Sequence, residues 1–547
     1  MTADSTPLGL SRRSFCAVGG LATLAVAGCR TAPGEGTGGS GGGGSTAEAT
    51  LPNHIPFTGV EPDFPAGDNG VPAGFASLPS DPVSSDRVPL PEIEPISMLL
   101  QGLAPTTSFD KNKYYQQIAA DCGTDFTMSW GGFGEYTDKF QVTVAGGDLP
   151  EVMQIVAVPQ LDQLLESQFH DLGEFIGGDK VEEYPNLAAV NPEVWKGNVL
   201  NGRLWGVTLA RPSGSGITVL GRGDLMDELG VEGTPELTNG EDFMELLKQL
   251  TVADDDRYAV GSDPQGWMLP ILNEMYGAPN TWRRDGDTLV HQWETEEAKA
   301  ALEQFITIWE AGYLHPLSFS DPANNKTWWD AGTTALYIDG VPGWGTHQRQ
   351  YPNYDVRGIA TPKWDGGGLA IKHLAAAGYP AYSAISKTAS EDRVREILGV
   401  MDYVASPLGT AEWMTINYGE EGVHYNIEDG APVATETMQN ERFSVGYLGG
   451  QASAQLLIPG NRDLVQRQHE YLEAVLPTGE ANAVTGFYSE TDNGRGASEQ
   501  RKLLDTQREI MQGRKPLDAW DKAVANWRST VGDKIRDEYL AAIEAAG

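Results

Sequence analysis

The sequence predicts an α/β protein built as two lobes, with candidate ligand-contacting residues at strand ends. Three observations predict it. From Ile96 onward short apolar strands alternate with amphipathic helices, the signature of parallel sheets flanked by helices. The 547-residue chain is too long for one such sheet, and two α/β lobes suit it far better. Finally, tryptophans recur in glycine-rich surroundings where strands give way to loops, and ligands of open α/β sheets meet the loops at the carboxyl ends of strands.

The first element is the stretch "SRRSFCAVGGLATLAVAGCR", residues 11–30. Its uncharged run from Ser14 to Cys29 is shorter than the about 20 apolar residues a membrane-spanning helix needs, so it reads as a signal peptide. Arg12, Arg13 and Phe15 fit a twin-arginine export signal. Val26-Ala27-Gly28-Cys29 resembles a bacterial lipobox, which makes residues 1–28 the signal and Cys29 the lipidated first residue of the mature chain. The alternative is an ordinary cleaved signal with a chance cysteine. The expected location is the extracellular face of the cytoplasmic membrane, with membrane contact through the lipid alone.

Residues 29–94 follow as a linker. Eight glycines lie between Thr31 and Ser45 and ten prolines between Leu51 and Pro95, with almost no periodic apolar pattern. As flexible coil this leash of roughly 60 residues reaches on the order of 45 Å. Gly36, Gly38 and Gly41 match G-x-G-x-x-G, but no strand precedes them and no helix follows, so a dinucleotide loop is excluded.

Order begins at "ISMLL", a buried-strand run, followed by the helix "NKYYQQIAADCG" and the strand "DFTMSW". "EYTDKFQVTVAGGDLP" reads as helix and turn, and "EVMQIV" as the next strand. Later, Val394, Ile397, Leu398, Met401 and Val404 keep helical spacing, as do Leu302, Phe305, Ile306 and Trp309; these are core stripes. The expected boundaries are roughly 95–210 with 370–450 for lobe 1, and 211–369 with 451–547 for lobe 2.

The formal charge of −38 becomes about −39 once Arg12, Arg13 and Asp4 leave with the signal. Such a field repels polyanions and argues against nucleic acid. Cys16 falls in the signal and Cys29 at the lipid site, so Cys122 has no partner and no disulfide framework exists within the mature chain.

Recognition chemistry centres on aromatic and polar side chains in loops. Trp130 ("MSWGGFGEY"), Trp205 ("NGRLWGV"), Trp267 ("DPQGWML") and Trp344 ("DGVPGWGT") sit beside glycine, whereas Trp309, Trp520 and Trp527 fall on helical stripes as core. An indole face matches the C–H face of a sugar ring, while nearby carboxylates, amides and arginine bond its hydroxyls. Polar candidates are Asp148 in "AGGDLPE", Arg211 after "WGVTLA", Asp339 after "TALYI" and Glu421 in "NYGEEGVHYN", each where regular structure ends at glycine or proline. H-E-x-x-H, G-x-S-x-G and G-x-x-x-x-G-K-[ST] are absent, and the eight histidines lack metal-ligand spacing. A glycosidase needs only two carboxylates brought together in space, so a surface-tethered polysaccharide-degrading enzyme stays open as the alternative.

Taken together, "AGGDLPEVMQI", "NGRLWGVTLAR", "VLGRGDLMDELGVEGTPELTNGEDFMELLKQL", "INYGEEGVHYNIEDG" and the tail "GRKPLDAWDKAVANWRSTVGDKIRDEYLAAIEAA" resemble the family 1 extracellular solute-binding proteins of ATP-driven importers, in the larger lipoprotein subgroup serving oligosaccharides such as aldouronates. The resemblance implies the type II periplasmic-binding-protein-like fold, hinge strands between lobes, and a carbohydrate held at the interface and passed to a permease whose ATPase is a separate subunit. It implies a monomer without cofactor or catalytic residues. It carries cleft-lining roles onto Asp148, Arg211, Tyr418 and Glu421, beside the aromatic candidates, and makes Arg222 and Asp224 a structural pair. Relatives often carry a calcium loop where this chain has "TVADDDRYAVG"; Asp254, Asp255 and Asp256 are adjacent rather than alternating, so no metal is expected there.

Overall fold

The computed structural model describes residues 49–102, 104–132, 135–208, 216–375, 382–428, 430–443, 445–449 and 456–546. Arg12, Arg13, Cys29 and Arg211 lie outside them. The strands that organise the fold are, in chain order, β1 (Gly74–Phe75), β2 (Ile96–Gln101), β3 (Phe126–Gly131), β4 (Val152–Gln154), β5 (Val207–Thr208) and β6 (Ile217–Arg222). They continue as β7 (Tyr258–Val260), β8 (Thr334–Gly340), β9 (Val356–Ile359), β10 (Lys372–His373), β11 (Tyr382–Ile385), β12 (Leu456–Leu457) and β13 (Gly479–Glu480).

Lobe 1 is built on a five-stranded sheet in the order β3-β2-β4-β11-β5, and lobe 2 on a four-stranded sheet in the order β9-β6-β8-β7. Period-two alternation explains why each sheet is covered on both faces. In β2, Ile96, Met98 and Leu100 pack with Ile118, Val394 and Ile397, whereas Leu99 joins Tyr136, Phe140 and Met153 in a second core. In β6, Val219 and Leu220 likewise point into different cores. Fully burying such side chains is worth about 1.5–3 kcal/mol each, and no apolar stripe of these strands is left for water.

The helix Lys113–Asp121 starts where the Asn112 side chain accepts the Tyr115 N–H, a polar cap that satisfies an otherwise orphaned donor. Cys122, just beyond it, is buried with its thiol pKa pushed well up by burial, which makes it a packing residue. Trp520 and Trp527 are buried in the lobe 2 core as their helical spacing predicts. Arg222 and Asp224 pair at 2.5 Å, and the same guanidinium lies 3.6 Å from the Tyr354 ring centroid. Among the described residues no helix is long and apolar enough to cross a membrane.

The reading of residues 29–94 as one loose leash needs correction over its second half. From Asn53 onward the chain is strapped to both lobes. Asn53 and Ile55 donate backbone N–H groups to Gly178 and Ala188 of lobe 1. The chain then reaches lobe 2, where β1 pairs in parallel with β12 and His469 bonds the Pro65 carbonyl at 2.8 Å. It returns to lobe 1 through Val83 to Gly409, Leu90 to Asp121 and Ile93 to Gly123. Phe75 closes an apolar contact with Leu408 and Trp413. Proline-rich backbone is extended and pre-stiffened, so it loses little entropy on being laid along a surface, and the absence of periodicity reflects isolated anchors rather than disorder.

Candidate functional site

The parallel strands β2, β3 and β4 end at Gln101, Gly131 and Gln154, while β11 runs back from Tyr382 beside the end of β4, where the Ile155 N–H bonds the Tyr382 carbonyl. The same edge of lobe 1 therefore holds the carboxyl ends of the strands, the end of β5 and the start of β11. In lobe 2, β8 ends at Gly340 opposite Ile217, the first residue of β6. The lobe 1 sheet thus places the end of β5 and the start of β11 side by side, Thr208 opposite Tyr382, on that edge.

Where the lobes meet lies a cavity of about 370 Å³ walled by both. Lobe 1 contributes Leu161, Val199, Leu200 and Tyr382; lobe 2 contributes Asn280, Asn482, Thr485, Phe487, Asp492 and Asn493. The lobe 2 wall is a loop pinned from behind. Glu538 accepts bonds from the Ser489 hydroxyl at 2.6 Å, the Thr491 N–H at 2.9 Å and the Thr491 hydroxyl at 2.7 Å. Burial works to raise the Glu538 pKa, but these donors outweigh it and hold the carboxylate below its usual range. The Tyr539 hydroxyl donates to Asp492 at 2.8 Å; burial, the larger influence, raises the Asp492 pKa. Tyr488 packs against the lobe 1 core cluster that holds Leu161, Leu165 and Trp205, so the loop spans the interface.

The floor is equally built. Asn280 spends its amide hydrogens on the carbonyls of Leu374 at 2.9 Å and Glu480 at 2.8 Å, which leaves its amide oxygen as acceptor. Beneath it, buried Lys372 bonds the Ile217 carbonyl and pairs with buried Glu274 at 3.3 Å, and Glu274 also accepts the His373 N–H at 2.9 Å. This network fastens β10 to the start of β6. His373 bonds the Ala278 carbonyl at 2.8 Å, and burial lowers its pKa to about 4, so it is neutral at neutral pH.

The sequence-predicted residues fall into three groups. Trp130, Asp339 and Trp267 stand at or just past the carboxyl ends of β3, β8 and β7. Trp130 is half-buried with its ring 6.4 Å from Phe443, and Trp267 is half-buried against the lobe 2 core. The Asp339 carboxylate takes the Gly340 N–H at 2.7 Å and lies 3.0 Å from the His347 ring nitrogen. Tyr418 ends a lobe 1 helix, and its ionisation is coupled to Arg349 on the lobe 2 helix that follows β8; burial raises the phenol pKa and Arg349 opposes this. Glu421 is exposed on the adjoining turn, bridged through its backbone to Tyr425.

Two expectations are corrected. Trp344 is no sugar platform: it is 2 % exposed, donates its indole N–H to the Val356 carbonyl at 2.7 Å, and packs against Gly358. Its glycine-rich setting reflects space for the indole, not access for a ligand. Asp148 is exposed at the amino end of β4, the opposite end of that strand from the cavity. Its motif serves structure through Glu151, which accepts from the Ser97 N–H at 2.9 Å and pairs with Arg393 at 2.7 Å.

None of the seven described sequence candidates lines the 370 Å³ cavity, and Arg211 lies outside the described residues. Its walls come from residues the sequence reading passed over, chiefly "NAVTGFYSETDN" at 482–493. The signal was present: glycine, amides and two aromatics in one loop. Attention to tryptophan alone overlooked it.

Two α/β lobes, strand ends gathered on one edge and an interface cavity define a solute-binding protein of the type II fold. The family model for bacterial extracellular solute-binding proteins matches residues 106–407, and the chain belongs to that family. It is 23 % identical over 463 residues to the polygalacturonan/rhamnogalacturonan-binding protein YtcQ of Bacillus subtilis strain 168, covering 80 % of this chain and 89 % of that one. Lipoprotein LipO of the same strain is 21 % identical over 474 residues, covering 80 % and 90 %. Among solved structures, the N-glycan transport solute-binding protein NgtS of Streptococcus pneumoniae superposes with a TM-score of 0.59 at 17 % identity, covering 83 % of this chain and 99 % of that one.

Proposed function

We propose that this protein is the carbohydrate-binding lipoprotein of an ABC-type importer. It is anchored through Cys29 to the extracellular face of the cytoplasmic membrane after twin-arginine export, and it acts as a monomer. It holds an oligosaccharide between its lobes, closes around it, and presents it intact to permease subunits driven by a separate ATPase. The observation that carries this reading is the cavity of about 370 Å³ whose walls come from both lobes. A ligand touching both walls gains contacts only when the lobes approach, so it stabilises closure by that difference.

The carbohydrate class is supported by a lining that combines apolar and aromatic faces with amide and hydroxyl groups. It is supported too by relatives whose names specify glycans. Membership of a family of solute-binding proteins supports transport without turnover.

Thermal-shift screening against a glycan panel tests the reading, because a ligand bound only by the native state stabilises it by about 2.7 kcal/mol at a hundredfold excess over Kd. Chromatography of the same mixtures should return the sugar uncut, and small-angle scattering should show a smaller radius of gyration on saturation. Cleaved products would favour the enzyme reading and overturn this one.

A further inference from the structure

We infer that the interlobe cavity accepts uncharged sugar units and discriminates against uronates, a refinement that rests on the carbohydrate reading above. Among the described residues, the cavity lining carries no lysine, arginine or histidine. Its single ionisable acid is Asp492, fixed by Tyr539 at 2.8 Å. The remaining polar side chains are amides and hydroxyls, among them the Asn280 oxygen, Asn482, Asn493, Thr485 and Tyr488. Each can give or take a hydrogen bond from a neutral hydroxyl, but none supplies the cation that a sugar carboxylate needs once water is removed.

Two basic groups that directly precede the lining residue Leu374 are already committed. Lys372 is buried, turned toward Glu274 and the Ile217 carbonyl. His373 is held neutral by burial and occupied with the Ala278 carbonyl. A uronate in the cavity would meet Asp492 as a like charge with no opposing cation among the described lining residues, in surroundings that screen it less than water does. The whole-chain charge of −38 adds a long-range bias in the same direction. The likeness to a polygalacturonan-binding relative therefore covers the architecture while this cavity carries a different ligand chemistry.

Isothermal titration of the purified chain against two matched panels tests this. One holds neutral xylo-, manno- and gluco-oligosaccharides, the other oligogalacturonides and alginate oligosaccharides of the same lengths, both at one ionic strength. The expected result is binding within the neutral panel, with every uronate at least tenfold weaker than the best neutral sugar. Asp492→Asn should narrow that ratio severalfold. Uronates binding as tightly as the neutral sugars, or a ratio untouched by Asp492→Asn, would overturn the inference while leaving carbohydrate transport intact. Failure of both panels would overturn the carbohydrate reading itself, and the inference with it.

Discussion

The two walls of the cavity are made in opposite ways. Lobe 1 offers Leu161, Val199 and Leu200 from the ends of regular elements, an apolar shelf backed by its own cores. Lobe 2 offers amides and hydroxyls from a loop that would be loose without the three bonds of Glu538. Elements that are already rigid need only present a surface, whereas hydrogen-bonding specificity needs individually aimed groups and a second layer of residues to aim them. The contrast extends inward. Lobe 1 ties β2 to a neighbouring helix through Glu151 and Arg393, both partly exposed, while lobe 2 ties β10, which the expected boundaries place in lobe 1, through Glu274 and Lys372, both buried.

That difference predicts the largest effect. Glu274→Gln leaves the Lys372 ammonium buried without its counter-charge and should cost about 3–5 kcal/mol. Arg393→Gln in lobe 1 leaves a carboxylate that water reaches and that keeps the Ser97 donors, so about 1–2 kcal/mol is expected. Urea unfolding followed by hydrogen exchange resolves the lobes. Equal costs for the two variants would mean the buried pair is no more tightly committed than the exposed one.

Acid should separate the lobes next. His373 in lobe 2 has its pKa lowered by burial from 6.5 to about 4, so the unfolded chain binds the extra proton first. Its contribution is complete above pH 6.5 and is lost as pH falls toward 4. Asp402 in lobe 1 has its pKa raised by burial from 3.8 to about 6, although it accepts N–H bonds from Asn186 and Leu187. Here the folded state binds the proton first, so the contribution is complete below pH 3.8 and is lost as pH rises through 6. Each group is worth about 3 kcal/mol across its window, at roughly 1.4 kcal/mol per unit. Between pH 6 and 4, lobe 2 protection should fall while lobe 1 protection rises. His373→Gln and Asp402→Asn should each flatten the slope of their own lobe only.

How much of this was legible depended on whether a signal was periodic. The strands "ISMLL" and "DFTMSW" and the helix "NKYYQQIAADCG" declared themselves because burial on alternate faces, or on one helical face, writes a period into the sequence. The strap did not, because anchors such as Phe75 and Val83 are single contacts spaced by proline geometry. The tryptophans at strand ends were found by composition, yet the same "GW" pattern marked an accessible ring at Trp267 and a core indole at Trp344. Glycine beside an aromatic reports that backbone and ring lie close. Which side the solvent is on is decided by elements distant in sequence, as Val356 does for Trp344. The cavity loop was hidden for a related reason: its aim is set by Glu538 and Tyr539, about fifty residues away.

The strap tests whether the lobes are joined by more than their chain crossings. Phe75→Ala removes the ring that meets Leu408 and Trp413. Because an extended segment can settle into the gap, the transfer contribution alone should be lost, about 2 kcal/mol. Limited proteolysis should then cut between residues 60 and 85, where the parent chain resists, and the loss should fall on both lobes. Unchanged resistance would reduce the segment to a passive leash.

The smallest expected effect bears directly on the two walls. Thr485→Val keeps side-chain volume but removes a hydroxyl from the lobe 2 wall, so a bound sugar loses one hydrogen bond. Affinity should drop by about 1 kcal/mol, roughly fivefold, with the loss appearing in the binding enthalpy. Leu200→Ala removes apolar area from the opposite shelf; its loss of similar size should appear as a less negative heat-capacity change, the marker of apolar burial. Calorimetry at three temperatures with one neutral ligand separates these signatures. Were both variants to lose enthalpy alike with the heat-capacity change untouched, the division into an apolar wall and a hydrogen-bonding wall would be wrong, and the ligand would be held by polar contacts from both lobes.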